Sequence, residues 1–249
     1  GSGVSSAVSR ALGARDSARA NALAVHALWI GITLGAVFMC IMALFGSWFF
    51  SGLGGKGEAL AQAVAYSDVA FLGSIFVWIV NTLASVIRGC GNMKVPSLTL
   101  FIVALTQVIF GGALGLGWGP FPRLGMHGVA LGSVLAYAGG ALYLWLHLAS
   151  GQAKVTLNIW HTPISRPVLN DILRVGAVAC ISPFQTVLTI LVLTKLVSAF
   201  GTNALAGYGI GTRLEFLLVP IAFAVGIASV PLVGMAIGAG LIARARRAA

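Results

Sequence analysis

Six long apolar stretches, separated by segments rich in chain-breaking residues, leave this chain few ways to fold. They run approximately Ala22–Ser51, Val69–Arg88, Leu98–Leu116, Gly128–Ala149, Val175–Phe200 and Ala206–Gly238. Each reaches about the 20 residues an α-helix needs to cross the hydrocarbon core of a bilayer. With 59% hydrophobic and only 8% charged residues, against roughly 25% charged in soluble domains, there is too little polar sequence to cover a water-facing surface. The prediction is an all-α integral membrane protein with six transmembrane helices in this chain. Pro220 and Pro231 in the last stretch predict a kinked or tilted helix there.

Most connections are short: "SGLGGKGEALAQ", "RGCGNMKVPS", "GWGPFPRLGMHG" and "GTNALAG". The exception is Ser150–Gly176, a polar segment holding Pro163 and Pro167. It is expected to carry a short helix along the membrane surface and to divide the chain into residues 1–149, a linker at 150–176, and residues 177–249.

A net charge of +10 invites a nucleic-acid reading, but the basic residues are scattered between apolar stretches. Arg10, Arg15, Arg19, Arg88, Lys94, Lys154, Arg166, Arg174, Arg244, Arg246 and Arg247 fall on one side of the predicted membrane. Loops on the other side carry only Lys56 and Arg123, and Lys195 and Arg213 lie near the outer ends of their helices. The positive-inside rule then places the arginine-rich side, and both termini, in the cytoplasm. The partner expected from this pattern is a lipid bilayer, not nucleic acid.

Cys40, Cys90 and Cys180 show no C-x-x-C spacing, and His26, His127, His147 and His161 are far apart. Neither set predicts a disulfide framework or a metal site, and no cofactor is expected. The glycines of "GLGWGP" and "GYGIG" do not follow a strand, so they read as places of close helix approach and not as nucleotide binding.

One phrase occurs twice. "ALGARDSARA" (Ala11–Ala20) and "AIGAGLIARA" (Ala236–Ala245) lie 225 positions apart and share six identities. Six spans separate the copies, so both return to the same side, as duplicated segments of parallel topology would. Because the first residue is Gly1 and not methionine, the expectation is either that the amino terminus was removed or that the chain is a piece of a longer protein.

Four collinear stretches resemble one family. "RLEFLLVPIAFAVGIASVPLVGMAIGAG" (Arg213–Gly240) resembles the eighth helix and following loop of multidrug and toxic compound extrusion (MATE) transporters. "LASVIRGCGNMKVPS" (Leu83–Ser97) is similar to that family's loop after helix four, and "GPFPRLGMHGVALGSVLA" (Gly119–Ala136) to its approach to helix six. "SAFGTNALAGYGIGTRLE" (Ser198–Glu215) resembles its turn between helices seven and eight. The resemblance implies a twelve-helix protein of two six-helix lobes with a cleft opening to either side in turn. This chain would supply the end of helix two through helix eight, with the missing helices as its partners: helices three to six in residues 1–149, and seven and eight in 177–249.

Candidate cleft-lining or coupling residues follow. Gln185, after Pro183, stands near a helix-seven glutamate of some family members; an amide cannot titrate, so lining or helix–helix bonding remain for it. Gln107 lies where relatives often carry an asparagine, and Gly111 where an aspartate often follows. The helix-one aspartate that several family members use lies outside this chain. Arg213 and Glu215 sit two apart near the outer end of the last span, facing different sides. An unpaired charge in the bilayer costs about 2.5–3.5 kcal/mol on insertion scales. Lys195 is therefore a candidate partner for Glu215. Two readings stay open, a structural pair or snorkelling, and proton or substrate handling by Glu215. Asn81 is a lone amide in an apolar helix, suited to interhelical bonding, and Trp78 is placed mid-membrane to stack on organic cations.

The expected function is secondary efflux of amphipathic or cationic organic compounds by antiport with Na⁺ or H⁺, in a bacterial inner membrane. The alternatives are a lipid-linked saccharide flippase of the same superfamily and a non-transporting membrane fragment or subunit. An enzyme is not expected, because Asp68 and Glu215 are the acids in or beside spans and no histidine pair accompanies them.

Overall fold

The computed structural model describes residues 1–52, 57–118, 122–157 and 165–248, with backbone alone at some helical positions, Glu215 and Pro220 among them. All regular structure in the described residues is helical: α1 (Ser2–Gly13), α2 (Ser17–Gly52), α3 (Gly57–Leu72), α4 (Ser74–Gly89), α5 (Lys94–Leu116), α6 (Gly125–Ala149), α7 (Arg166–Ser198), α8 (Thr202–Gly238) and α9 (Ile242–Ala248). Every predicted apolar stretch falls on these helices.

Within the described residues, four helices are long and apolar enough to cross a membrane: α2 over Ser17–Gly46, α5, α6, and α7 over Arg166–Val197. A fifth span is made of two pieces, because α3 and α4 meet at 48°. The second predicted stretch is thus a broken helix. The break sits at Gly73, where a Cβ would lie 2.9 Å from Cβ of Val134 on α6. Backbone groups freed by a break must be bonded again in lipid. Ser74 Oγ donates to the Phe71 carbonyl at 2.7 Å, and the Phe76 N–H to the Gly73 carbonyl at 3.1 Å. The sixth stretch lies in α8, which is helical over 37 residues, with Phe223–Gly238 as its described apolar part.

The polar segment after α6 also differs in detail. Its described first part, 150–157, is not helical, residues 158–164 lie outside the described set, and α7 already starts at Arg166. Pro167 sits in the first turn of α7, where its missing N–H costs nothing. The end of the segment therefore lengthens a membrane helix, and the middle, where a short surface helix was expected, lies outside the described residues.

Lipid tails are as apolar as leucine, so helices in a bilayer associate through close packing of small residues. On α6, Gly128, Gly132, Ala136 and Gly140 recur every four residues and line one face. A Cβ on Gly128 would stand 2.5 Å from the Leu114 carbonyl carbon, one on Gly132 2.6 Å from the Gly111 Cα, and one on Gly140 2.6 Å from Val103 Cγ2. The backbones of α5 and α6 touch along this face. Gly31 and Gly35 of α2 repeat the device against Thr82 and Trp78 of α4. Leu23, Leu83, Ile87, Leu144 and Leu148 complete a buried cluster joining α1, α2, α4 and α6. By contrast α7 is largely bare, with Phe184 70% and Leu191 63% exposed.

Cys90 closes α4 and is buried. Burial pushes its thiol up to about 11, an effect that Lys154 partly opposes. Against an ordinary value of 9.0, this leaves about a hundredfold less reactive thiolate at neutral pH. Maleimide treatment of native membranes is expected to leave Cys90 unmodified, with labelling appearing only after denaturation. Mass mapping of the Cys90 peptide before and after detergent unfolding checks this.

Candidate functional site

The two copies of the repeated phrase build the same helix end twice, and the ends meet. At the close of α1, the N–H groups of Ala14, Arg15 and Asp16 donate to the carbonyls of Arg10, Leu12 and Ala11 at 3.0, 3.1 and 3.0 Å. At the close of α8, those of Ala239, Gly240 and Leu241 donate to Met235, Ile237 and Ala236 at 3.0, 3.0 and 2.9 Å. This is the Schellman pattern, which needs a left-handed residue after the helix. Arg15 (φ 59°) fills that place in the first copy and Gly240 (φ 73°) in the second. Only the arginine bears the Cβ penalty, about 1–2 kcal/mol. The next helices, α2 and α9, start at Ser17 and Ile242, again 225 apart.

Between these ends α1 and α8 cross at backbone contact. A Cβ on Gly13 would run into the Met235 carbonyl, with the Met235 Cα at 2.9 Å. A Cβ on Gly238 would run into the Arg10 carbonyl, with the Arg10 carbonyl carbon at 2.9 Å. Met235 is the counterpart of Arg10 and Gly238 of Gly13, so the contact is reciprocal, as in an isologous interface. One turn earlier Gly234 lies against Ser9, its added Cβ 3.0 Å from the Ser9 Cβ. Helix α1 also touches α7, since Gly3 leaves room for the Gly176 backbone. It therefore joins α2 and α4 on one side to α7 and α8 on the other.

An ion triad stands beside the crossing. Arg10 Nη2 donates to Oδ1 of Asp171 at 3.0 Å, and Arg19 Nη2 to Oδ2 at 2.9 Å. Asp16 Oδ1 accepts the Arg19 N–H at 2.9 Å and caps α2. Two further bonds hold the segment after α6 to α2: Asn21 Oδ1 accepts the Thr156 N–H at 3.0 Å, and His26 Nε2 accepts the Ser165 N–H at 2.8 Å. The other ring nitrogen of His26 faces the Ala22 carbonyl at 2.7 Å, so the ring proton sits on Nδ1.

Two of the cavities among the described residues hold polar side chains singled out above or beside this site. One, of about 820 Å³, lies between α1, α7 and α8 and is lined by Ser2, Arg10, Asp171, Arg174, Ser229 and Val233 among others. The second, of about 520 Å³, lies between α3, α5 and α6, with Gln62, Tyr66, Gln107, Arg123 and Ser133 in its wall.

The residues singled out from sequence do not converge. Gln107 lines the second cavity. Trp78 and Asn81 are one turn apart on α4 and exposed. The Trp78 side chain lies against Gly35 of α2, and Asn81 Nδ2 donates to the Val77 carbonyl of its own helix at 2.9 Å. Gln185 on α7 and Arg213 on α8 are exposed. The side chain of Glu215, and with it the expected pairing to Lys195, lies outside the described residues. Sequence reasoning missed Asp171, Asn21 and His26. The available signal was Asp171 itself, a single acid between Arg166 and Arg174 in the polar segment.

The MatE family model matches residues 1–111 and 179–249. The multidrug export protein MepA of Staphylococcus aureus (strain NCTC 8325 / PS 47) is 27% identical over 214 residues, 86% of this chain and 47% of that protein. The probable multidrug resistance protein YoeA of Bacillus subtilis (strain 168) is 25% identical over 242 residues, 96% of this chain and 52% of its own. Among solved structures, the outward-facing conformation of a multidrug resistance MATE family transporter of the MOP superfamily matches 99% of this chain and 54% of its own, with a TM-score of 0.88 and 25% identity. The chain spans about half the length of the curated relatives it matches. Apolar helices, broken span and family match agree: this is an integral membrane chain, and it belongs to the MATE family of multidrug efflux transporters.

Proposed function

We propose that the chain works as part of a two-lobed secondary transporter that exports amphipathic or cationic organic compounds in exchange for Na⁺ or H⁺. Residues 1–149 belong to the first lobe, 150–176 to the connection, and 177–249 to the start of the second, with the bare faces of α7 and α8 covered by the remaining helices of that lobe. The observation that carries this reading is the reciprocal α1–α8 crossing, a pseudo-twofold contact between the two repeats at the arginine-rich end. Two lobes related in this way can separate at one end while meeting at the other, and an ion that binds one state better shifts the balance between them. The arginine-rich end is cytoplasmic by the charge rule, in a bacterial inner membrane. MepA is named a multidrug export protein and YoeA a probable multidrug resistance protein, which favours this reading over a saccharide flippase.

The test is dye export by the complete gene product in bacteria lacking their own exporters. Cells are loaded with a fluorescent organic cation and efflux is followed. Export that stops with a protonophore, or with removal of the Na⁺ gradient, supports the proposal and names the ion. A well-expressed protein giving no gradient-dependent export of organic cations would overturn it.

A further inference from the structure

The geometry points to Asp171 as the lock of the arginine-rich end, its carboxylate holding α7 to both α1 and α2 and so keeping that end closed. The inference rests on the two-lobe reading and adds a positioning residue to it. Each carboxylate oxygen takes one guanidinium, from Arg10 at 3.0 Å and Arg19 at 2.9 Å. These partners are 161 and 152 positions away in sequence, so the triad ties the first lobe to the start of α7, where the connection runs into the first helix of the second lobe. The same Arg10 supplies the backbone carbonyl on which Gly238 rests. A small cavity of about 270 Å³ bordered by Arg10, Asp16, Arg19, Asp171 and Gly238 places triad and crossing side by side.

Charge makes Asp171 the decisive member. Arg10, Arg19 and Arg174 come together at this end, Arg174 one turn along α7 and in the wall of the neighbouring cleft. Without the carboxylate, Arg10 and Arg19 would face Arg174 with no bond to α7, since Asp16, the other acid in the wall of the small cavity, sits at the start of α2 and accepts the Arg19 N–H. Opening the end separates α1 from α7 and α8, and with them both bonds to Asp171. An interaction present in one state and absent from the other moves the equilibrium by its own free energy. The triad is partly exposed, the Asp171 side chain at 28%. Its contribution is therefore screened, and tunes closure without making it permanent.

The test uses the complete gene product with its native cysteines, Cys40, Cys90 and Cys180 among them, replaced by alanine and with Ser9→Cys and Gly234→Cys added. A Cβ at position 234 would stand 3.0 Å from the Ser9 Cβ, inside the ~3.5–4.5 Å of a disulfide, so the two helices must ease apart slightly to be bridged. The rate of oxidative cross-linking, compared among variants that all carry this pair, reads the closed state without any transported substrate. Asp171→Asn is expected to slow cross-linking about fivefold, the factor that corresponds to one modest interaction. Asp171→Glu should keep it near the parent rate. Arg19→Gln, which leaves the Arg10 bond in place, should give an intermediate rate and serves if Asp171→Asn expresses poorly. Thiol accessibility of Ser6→Cys to an impermeant reagent from the arginine-rich side should rise in parallel. Cross-linking at the parent rate in folded Asp171→Asn would overturn the lock. A slowed rate in a protein that exports nothing would leave the lock standing and remove the proposed function. Normal export with unchanged cross-linking would do the reverse.

Discussion

Gly132→Val is expected to remove nearly all folded protein from the membrane, whereas Gly139→Val, two turns along the same helix, is expected to be tolerated. At Gly132 a Cβ would be 2.6 Å from the Gly111 Cα and 2.7 Å from the Phe110 carbonyl carbon. These are backbone atoms, which no rotamer change can move. The α5 and α6 axes would have to separate along the face that Gly128 and Gly140 share, stripping contact from the whole pair. Overpacking in well-filled cores costs typically 1–3 kcal/mol, and contact with main chain puts this site at or above the upper end. Gly139 meets nothing within 4 Å, so its valine variant should stay within about 0.5 kcal/mol of the parent, as surface changes do. Thermal unfolding of detergent-purified protein, followed by loss of the monodisperse peak, separates the two. Equal stability of both variants would contradict backbone contact between α5 and α6.

The second large effect concerns Gly13 and Gly238. Each valine variant alone is expected to lower gradient-driven export by about tenfold or more, the result of 1–3 kcal/mol against one state. The double variant should lose little beyond either single one. Both substitutions wedge open the same α1–α8 crossing, and changes that disrupt one shared contact are not additive. Export assays on the two singles and the double, with surface expression matched, give the cycle directly. Full additivity would mean that the two glycines act at independent places, contrary to the reciprocal geometry.

Sequence reasoning saw most of the framework because its signal is physical and local. Apolar runs of bilayer length had to be helices, but the close approaches were placed only in part. Gly115 and Gly117 of "GLGWGP" do meet neighbours, Gly207, Gly209 and Gly211 of "GYGIG" meet nothing within 4 Å, and the tightest helix contact, at Gly128 and Gly132 of α6, went unread. The repeated phrase pointed to two equivalent positions on one side. The break at Gly73 was harder to see. A glycine inside an apolar run does not distinguish a straight helix from a bent one, and here the Val134 side chain on α6 stands beside it. The candidate site was less legible. Gln107, Asn81, Trp78, Gln185 and Arg213 drew attention as polar or aromatic residues in apolar surroundings, a property each has by itself. Asp171 matters through Arg10 and Arg19 more than 150 positions away, and sequence spacing holds no trace of such a pairing. His26 likewise looks ordinary until Ser165 is found against its ring.

The twin helix ends at Arg15 and Gly240 bear on how such a chain tolerates change. If the two halves were separate identical subunits, one codon would specify both sides of the crossing, and each mutation would strike it twice. Joined in one polypeptide, the halves are encoded independently, and either can vary while its counterpart holds the geometry. The helix caps display that freedom: the same three hydrogen bonds are closed by glycine in one copy and by arginine in the other. The triad displays it too, because Arg10 holds Asp171 while its counterpart Met235 bears no charge. A symmetric pair of helix ends thus carries an ionic fastening at Arg10 that its counterpart Met235 cannot make, so equivalence of backbone does not imply equivalence of energy.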